Sequence, residues 1–333
     1  MTLFNKVYKA TRIWILLAVA LTLPYWVPNN YYLQIFCLGM IFAILTLSLN
    51  ILSGMTGLFS VGFIAFFGIG AYTSAILTTK LGFPVPLAMF LAGVLSSILS
   101  LTLSLPTMRL KGMYFAVATL AFGEIMYQLF LNWTAVTEGT KGIKGIPALE
   151  LFGTSFRSYS KFYYVILVIL ILIIMLARNL ISSRTGRAML SIRENDIAAE
   201  AVGVNVPQYK MISFLISTFF AGIAGALYAH MVRYVSPESF VNAESAAVLA
   251  MMVVGGIGSI PGAIVGGIGL TVLPEFMRFL GNIRMVLYGA SIVLIVIFAP
   301  RGLGGLIERI DNILSGKQSL GVQKKQQHIE GEE

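Results

Sequence analysis

Long apolar runs alternate with short polar segments along most of this chain. Nine apolar runs stand out, at residues 13–27, 31–52, 54–79, 84–105, 113–132, 162–181, 211–230, 246–279 and 285–299. A helix needs about 20 residues to cross a bilayer, and most of these runs approach or exceed that length. The pattern predicts an all-α polytopic membrane protein, because helices satisfy their own backbone hydrogen bonds within lipid.

The run Ala246–Phe279 is too long for one comfortable span. Its centre, Gly255–Gly262, reads GGIGSIPG, where glycine and proline favour a break. We therefore expect two spans that meet at this turn, which gives about ten transmembrane helices in all; one continuous span would leave nine. Gly258, Gly262 and Gly266 are four residues apart, the small-residue spacing that lets two helix backbones touch.

The first apolar run follows residues 1–12, which carry basic but no acidic side chains. A basic start, a short apolar stretch and the triplet Ala18-Val19-Ala20 also resemble a secretory signal. We expect a retained helix, because the triplet lies inside the apolar run and not after it.

The composition indicates a membrane protein, and the predicted topology accounts for the excess of basic residues. Hydrophobic residues make up 57% of the chain and charged residues 11%, whereas soluble domains are about 25% charged. The net charge of +9 could indicate a nucleic-acid partner in a soluble protein. Here 15 of the 23 Lys and Arg residues fall on one side of the ten-span topology. That side, with both termini, is expected to be cytoplasmic, and no nucleic-acid partner is expected.

A polar segment, Ile181–Met211, separates two apolar runs and must lie in water beside the membrane. We predict two short helices in it, the first over about Arg184–Arg193. The second is expected to start at Asp196, a favourable N-cap residue, and to end at Gly203. Pro207 should prevent a direct continuation into the next span.

The second short helix carries a small apolar face formed by Ile197, Ala198 and Ala201. The polar segment has no evident core that this face could join. The face therefore predicts a protein partner.

The run 54–79 is apolar but contains five glycines and Ser60. Glycines at membrane depth allow close helix packing, or they let the backbone unwind beside a cavity. Both interpretations remain open, and the second makes Ser60 a candidate pathway residue.

Glu124 is the one acidic residue placed deep in a predicted span, about 16 Å along the helix from Met113. An intramembrane carboxylate is a functional candidate that faces the protein interior or a wet cavity. The alternative is a structural role, with a hydrogen bond through Asn50 or Gln128. We keep Glu124 and Asn50 as candidate pathway residues.

The chain shows no sign of catalytic or cofactor chemistry. It has one cysteine, Cys37, and two histidines, which cannot by themselves supply a typical structural zinc site. It has no P-loop, no zinc-protease motif and no nucleophile elbow. We therefore expect no enzyme activity, no metal, no bound cofactor and no ATPase site of its own.

Five segments carry a recognisable pattern: Gly54–Leu77, Arg109–Ile125, Arg184–Lys210, Gly255–Gly267 and Phe298–Leu306. The most specific of them is the third, RTGRAMLSIRENDIAAEAVGVNVPQYK. Together they resemble branched-chain amino-acid ABC importer permeases, specifically the second of the two permease types that such importers usually pair.

The resemblance implies a fold like that of cobalamin-importer permeases, with about ten helices and short cytoplasmic coupling helices. It implies several partners: a sister permease, two cytoplasmic ATPases, an extracytoplasmic binding protein, an amino-acid substrate and membrane lipid. Residues 182–210 would form the ATPase-coupling loop. Its core would be Arg184, Arg187, Arg193, Glu194, Asp196, Ala198, Glu200 and Gly203.

The resemblance also implies an organisation for a bacterial inner-membrane protein. Residues 1–12 and 307–333 would be cytoplasmic, and residues 13–306 would form the permease domain. The loops 133–161 and 231–245 would receive the binding protein. Relatives that carry urea, amides or other amino acids keep the substrate open.

Two rival classes predict features that this sequence lacks. A secondary transporter would carry several intramembrane ionisable residues, and we find one. A membrane-embedded enzyme would need a cluster of His, Asp or Glu near a membrane face.

Overall fold

A computed structural model describes residues 20–26, 29–107, 112–151, 154–281, 283–299 and 302–305. The expectations for the two termini, for the start of the first apolar run and for the Arg109–Lys111 turn lie outside these residues.

Helices make up most of the described chain, as the hydrophobic pattern predicts. They are α1 (residues 20–26), α2 (Asn30–Thr56), α3 (Ile64–Thr79), α4 (Val85–Thr107), α5 (Met113–Asn132), α6 (Thr134–Thr137), α7 (Tyr159–Ser182), α8 (Arg184–Glu194), α9 (Asp196–Ala201), α10 (Val206–Val232), α11 (Asn242–Gly255), α12 (Ile260–Phe276) and α13 (Ile283–Phe298). Residues 302–305 are also helical. Short 3₁₀ turns lie at Gly139–Lys141, Pro237–Phe240 and Arg278–Leu280.

Five of the described helices, α2, α4, α5, α7 and α10, are long and apolar enough to cross a membrane. Four shorter apolar helices, α3, α11, α12 and α13, have between 10 and 17 residues. The chain is therefore an all-α polytopic membrane protein.

Two-stranded ladders occur only in the loops of the described chain. Strand β1 (Ile143–Lys144) pairs antiparallel with β4 (Tyr234–Val235), and Ile143 lies opposite Val235. This ladder joins the α5–α7 loop to the segment that follows α10. Strands β2 (Glu150–Leu151) and β3 (Thr154–Ser155) form a second antiparallel pair within the same loop.

Helix α2 is the centre of the fold. It packs against α7, α8, α10, α11 and α12, and most of its length is buried. Its start is capped by Asn29, whose Oδ1 accepts a hydrogen bond from the Tyr31 amide at 3.0 Å. Its end is set by Gly57, which adopts the left-handed conformation that glycine tolerates, with φ of 72°.

The prediction for the second and third spans is wrong at their boundary. Helix α2 continues to Thr56, and α3 begins only at Ile64, so the two are separated by residues 57–63. Gly54 therefore belongs to α2 and not to the third helix. The sequence pattern merged the end of α2 with α3 into one apolar run, because the loop between the two helices is nearly as apolar as the helices themselves.

The break within Ala246–Phe279 lies in the predicted turn, since α11 ends at Gly255 and α12 begins at Ile260. Two of the predicted packing glycines hold these helices together. A Cβ on Gly262 would lie 2.1 Å from the Gly255 carbonyl oxygen, and one on Gly266 would lie 2.2 Å from that of Met251. Gly258 departs from the prediction: it lies in the turn before α12, with φ of 86°.

Candidate functional site

The polar segment between α7 and α10 folds into the two short helices α8 and α9. Ser183 caps the first of them, because its Oγ accepts a hydrogen bond from the Gly186 amide at 3.0 Å. Met189 and Ile192 face inward and are 0% and 3% exposed. Helix α8 packs on α2, α7 and α10, so it is fixed to the membrane-spanning core.

The start of α9 differs from the prediction by one residue. The N-cap is Asn195, whose Oδ1 accepts hydrogen bonds from the amides of Ile197 and Ala198. Asp196 is the first helical residue, and its carboxylate lies 3.6 Å from Nζ of the buried Lys210 in α10. Asp196 therefore fastens α9 to the start of the next span.

Gly203 follows the end of α9, with φ of 87°. Its amide bonds to the Glu200 carbonyl oxygen, and the Val204 amide bonds to that of Ala199. These two bonds form a Schellman motif, which satisfies carbonyl groups that the helix end leaves free. Val204 also packs with the small cluster formed by Ala199, Ile192 and Val206.

The apolar face predicted on the second helix is exposed. Ile197 is 68% exposed, and Ala198 and Ala201 are also on the surface. Val202, which the sequence interpretation missed, extends this face and is 79% exposed. Ala199 is the one alanine of α9 that turns inward. We call Ile197, Ala198, Ala201 and Val202 the docking face.

Exposed charged side chains of both signs lie in the same loop as the docking face. Arg184, Arg187, Glu194 and Glu200 are exposed. Arg187 donates a local hydrogen bond from Nη1 to the Ser182 carbonyl oxygen at 2.8 Å. The loop thus presents an apolar patch with a charged rim, which is the usual composition of a protein-binding surface.

Arg193 connects α8 to the core. Its Nη1 donates a hydrogen bond to the Gly54 carbonyl oxygen in α2 at 2.7 Å. The same nitrogen lies beside the α11–α12 turn, because a Cβ on Gly258 would be 2.5 Å from it. The arginine therefore touches two elements of the membrane domain.

Asn50 holds the α11–α12 turn against α2. Its Oδ1 accepts a hydrogen bond from the Gly258 amide at 2.7 Å, and its Nδ2 donates one to the Ser259 carbonyl oxygen at 3.1 Å. A Cβ on Gly54 would lie 2.7 Å from the Asn50 Oδ1. We call Asn50, Gly54, Gly258 and Arg193 the junction. The sequence analysis did not predict the junction, although an Asn in an apolar run, one helical turn before a glycine, was a signal that the sequence contained.

Glu124 lies on α5 and is exposed on the surface of the chain. Its Oε1 accepts a hydrogen bond from Gln128 at 3.0 Å, as the sequence suggested. Its Oε2 accepts one from Asn242, the first residue of α11, at 3.1 Å. Asn50 is engaged at the junction instead, and the Asn242 contact was not predicted.

Ser60 lies in the loop between α2 and α3 and is fully buried. Its Oγ has no hydrogen-bond partner among the described residues. The neighbouring Val61 amide donates a hydrogen bond to the Thr119 hydroxyl in α5 at 3.0 Å. Ser60 therefore faces no open surface in this conformation.

Comparison with known proteins assigns the chain to a family. The family model described as "Branched-chain amino acid transport system / permease component" matches residues 31–296. The chain belongs to this family. The match includes α2 through most of α13, and with them the junction and the docking face.

Two similar relatives are the "High-affinity branched-chain amino acid transport system permease protein LivM" of Salmonella typhimurium and that of Escherichia coli. Each is 37% identical over 311 residues, which cover 86% of this chain and 73% of the relative. The LivH permease protein of Salmonella typhimurium is 32% identical over 125 residues, or 37% of this chain and 40% of the relative. No solved structure matches. The chain is thus a transport subunit of the permease type.

Proposed function

We propose that this permease component carries branched-chain amino acids across a bacterial cytoplasmic membrane, as one subunit of an ATP-driven importer. The family match and the printed names of the LivM relatives support this substrate class. Other amino acids, urea and amides are alternatives, since related permeases carry them.

The sister permease in this proposal is a LivH-type chain. LivH proteins match a shorter part of this chain at lower identity than LivM proteins do. That difference suits two permeases that share an ancestor and pair as unlike subunits. The pathway would lie between them.

The loop of residues 182–210 is, in our proposal, the coupling loop that docks in a groove of a cytoplasmic ATPase. The single observation that carries this proposal is the docking face, an exposed apolar patch on a short helix of the polar segment between α7 and α10. An apolar helix face of this kind binds in a groove of a partner, while its charged rim sets the orientation. This chain contributes no ATPase site, and ATP is hydrolysed by the partner.

With the coupling loop on the cytoplasmic side, the positions of the other loops and of the termini follow. The loops 133–161 and 231–245 lie on the opposite side, where they would receive the binding protein, and β1 and β4 join them into one platform. The termini, residues 1–12 and 307–333, would be cytoplasmic. The helices would number about ten, in an arrangement similar to cobalamin-importer permeases.

The junction would transmit motion of the coupling loop to the membrane domain. Motion of α8 would pull on Arg193, and through it on α2 and the α11–α12 turn. We therefore assign Asn50 to coupling and keep Glu124 as the candidate pathway residue.

A pull-down of the tagged full chain in mild detergent tests this proposal. Mass spectrometry should identify a P-loop ATPase and a second permease in the eluate. A chain that purifies alone and moves leucine in proteoliposomes without ATP would contradict it.

A further inference from the structure

Glu124 occupies an unusual position for a carboxylate. It lies eleven residues into α5, about 16 Å along the helix axis at 1.5 Å per residue. Helix α5 is one of the five that can cross the membrane, so Glu124 is near the middle of the hydrocarbon layer. A charged side chain there is costly unless it faces protein or water.

The exposed face of α5 contains Glu124 near its centre. Val117, Leu120, Glu124 and Gln128 follow one another at spacings of three or four residues, and all four are exposed. Residues at this spacing share one helix face. The rest of this chain therefore does not cover the Glu124 carboxylate, and a lipid environment would be unfavourable for its charge.

Two neutral amides hold the carboxylate in place. Gln128 donates to Oε1 at 3.0 Å and Asn242 donates to Oε2 at 3.1 Å. Asn242 reaches α5 because residue 123 is glycine, where a Cβ would lie 2.5 Å from the Asn242 Oδ1. Two helices of the chain, α5 and α11, thus meet at a built carboxylate site.

No positive charge from the described residues is paired with this carboxylate. Among the described residues, no Lys, Arg or His forms an ion pair with Glu124, whereas Glu138, Asp196 and Glu275 each have one. The amides orient both oxygens and leave further acceptor positions on each. The Asn242 Oδ1 is also buried without a hydrogen-bond donor. These acceptor positions would suit a compact cation with several N–H donors.

We propose that Glu124, oriented by Gln128 and Asn242, binds the ammonium group of the amino-acid substrate midway across the membrane. This inference rests on the proposed function, which supplies a substrate with such a group. An alkylammonium carries one charge and three donors, and the apolar side chains beside Glu124 on the same face suit an aliphatic substrate. Glu124 is then a binding residue, and Gln128 and Asn242 are positioning residues.

The first test replaces the charge without changing the shape. Glu124→Gln keeps an oxygen and the length of the side chain, and it should lower L-leucine uptake by the assembled importer in proteoliposomes. We expect a decrease of about tenfold or more, because a hydrogen bond between charged groups is lost. The control Thr102→Val removes another polar group from an exposed membrane face, where Oγ1 bonds only within α4, and should retain wild-type uptake.

The second test distinguishes charge from structure. Cys37 is the one cysteine of this chain, so Cys37→Ser removes its native thiol. In that background, Glu124→Cys places a single thiol at the site. A water-soluble anionic methanethiosulfonate should modify position 124 and restore part of the uptake. The cationic ethylammonium reagent should modify it without restoring uptake. L-leucine should protect the position, as measured by mass spectrometry of the peptide that contains it.

Several results would overturn the inference. One is wild-type uptake by Glu124→Gln, and another is equal rescue of Glu124→Cys by both reagents. A third is a thiol at position 124 that does not react in the assembled importer, which would mean that lipid or the sister permease covers this position. If the wild-type importer shows no ATP-driven uptake of any branched-chain amino acid, the proposed function fails as well. A wild type that transports beside an unimpaired Glu124→Gln variant overturns only the ammonium site.

Discussion

The Arg193 guanidinium in α8 donates a hydrogen bond from Nη1 to the Gly54 carbonyl oxygen in α2, across 2.7 Å. This bond joins a helix of the polar loop to the last turn of α2, the most buried of the five candidate membrane spans. Asn50, one turn earlier in α2, holds the α11–α12 turn through Gly258. The polar loop therefore contacts two elements of the membrane domain, α2 and the α11–α12 turn, which Asn50 also holds to each other.

Replacing Arg193 with lysine should weaken the coupling between ATP hydrolysis and transport. A lysine has a single ammonium group and cannot reproduce the guanidinium geometry beside Gly258. We expect amino-acid uptake per ATP hydrolysed to fall about fivefold, which corresponds to the loss of a hydrogen bond worth roughly 1 kcal/mol.

The measurement compares uptake with phosphate release in the same proteoliposomes. Arg178→Lys is the matched control, since Arg178 is exposed at the end of α7 and has no assigned contact in the described structure. Equal coupling ratios in Arg193→Lys and wild type would contradict the role of the junction.

Glycine substitutions in α12 should separate close packing from helix propensity. Gly266→Ala would place a Cβ 2.2 Å from the Met251 carbonyl oxygen, so α11 and α12 must move apart. We expect a loss of about 1–3 kcal/mol in the free energy of unfolding, typical of an overpacked site. Thermal unfolding in detergent measures the effect as a lower midpoint.

Gly269→Ala is the control for this experiment. Gly269 is in the same helix, and a Cβ there meets nothing within 4 Å. The alanine should be neutral, or stabilising by about 0.5–1 kcal/mol through helix propensity. Similar losses for both variants would show that the α11–α12 contact is not as close as described.

Polar substitutions on the docking face should release the ATPase. Ile197→Ser together with Val202→Ser removes the two most exposed apolar side chains of that face without touching the buried cluster below it. Co-purification of the ATPase should decrease strongly, while the thermal midpoint of the permease stays unchanged. Phe279→Ser, at a residue 84% exposed outside the loop, should leave co-purification intact.

Removing the acidic rim tests the role of charge in the same surface. Glu194→Gln with Glu200→Gln should weaken ATPase association in a salt-dependent manner, because exposed charges act through screened long-range attraction. Asp196 is excluded from this variant, since its pairing with Lys210 would confound docking with folding. An association as tight as that of the wild type at low salt would show that the rim does not contribute.

Hydrophobic patterning predicted the helical class and the position of the α11–α12 break, because both depend on local sequence. The two helices of the polar segment were also predictable within one or two residues, since caps such as Ser183 and Gly203 act locally. The prediction of Asp196 as the N-cap was wrong by one residue, because Asn195 is also a good cap and accepts the amides of Ile197 and Ala198, while Asp196 pairs with Lys210.

The junction was not predictable in the same way. The bonds between Asn50 and Gly258 and between Arg193 and Gly54 join residues that are far apart in the sequence. The same holds for the contact of Glu124 with Asn242. Periodicity shows which face of a helix is buried, but it does not show which helix covers that face. The candidate site therefore became visible only when the helices were packed together.

Uptake of labelled L-leucine by the reconstituted complex tests the central claim most directly. Proteoliposomes would contain this chain, its sister permease and the ATPases, with the binding protein added outside. The account predicts uptake that requires both ATP and the binding protein and that is lost when Ile197 and Val202 are replaced by serine. Uptake that proceeds without ATP, or that is unaffected by those replacements, would contradict it.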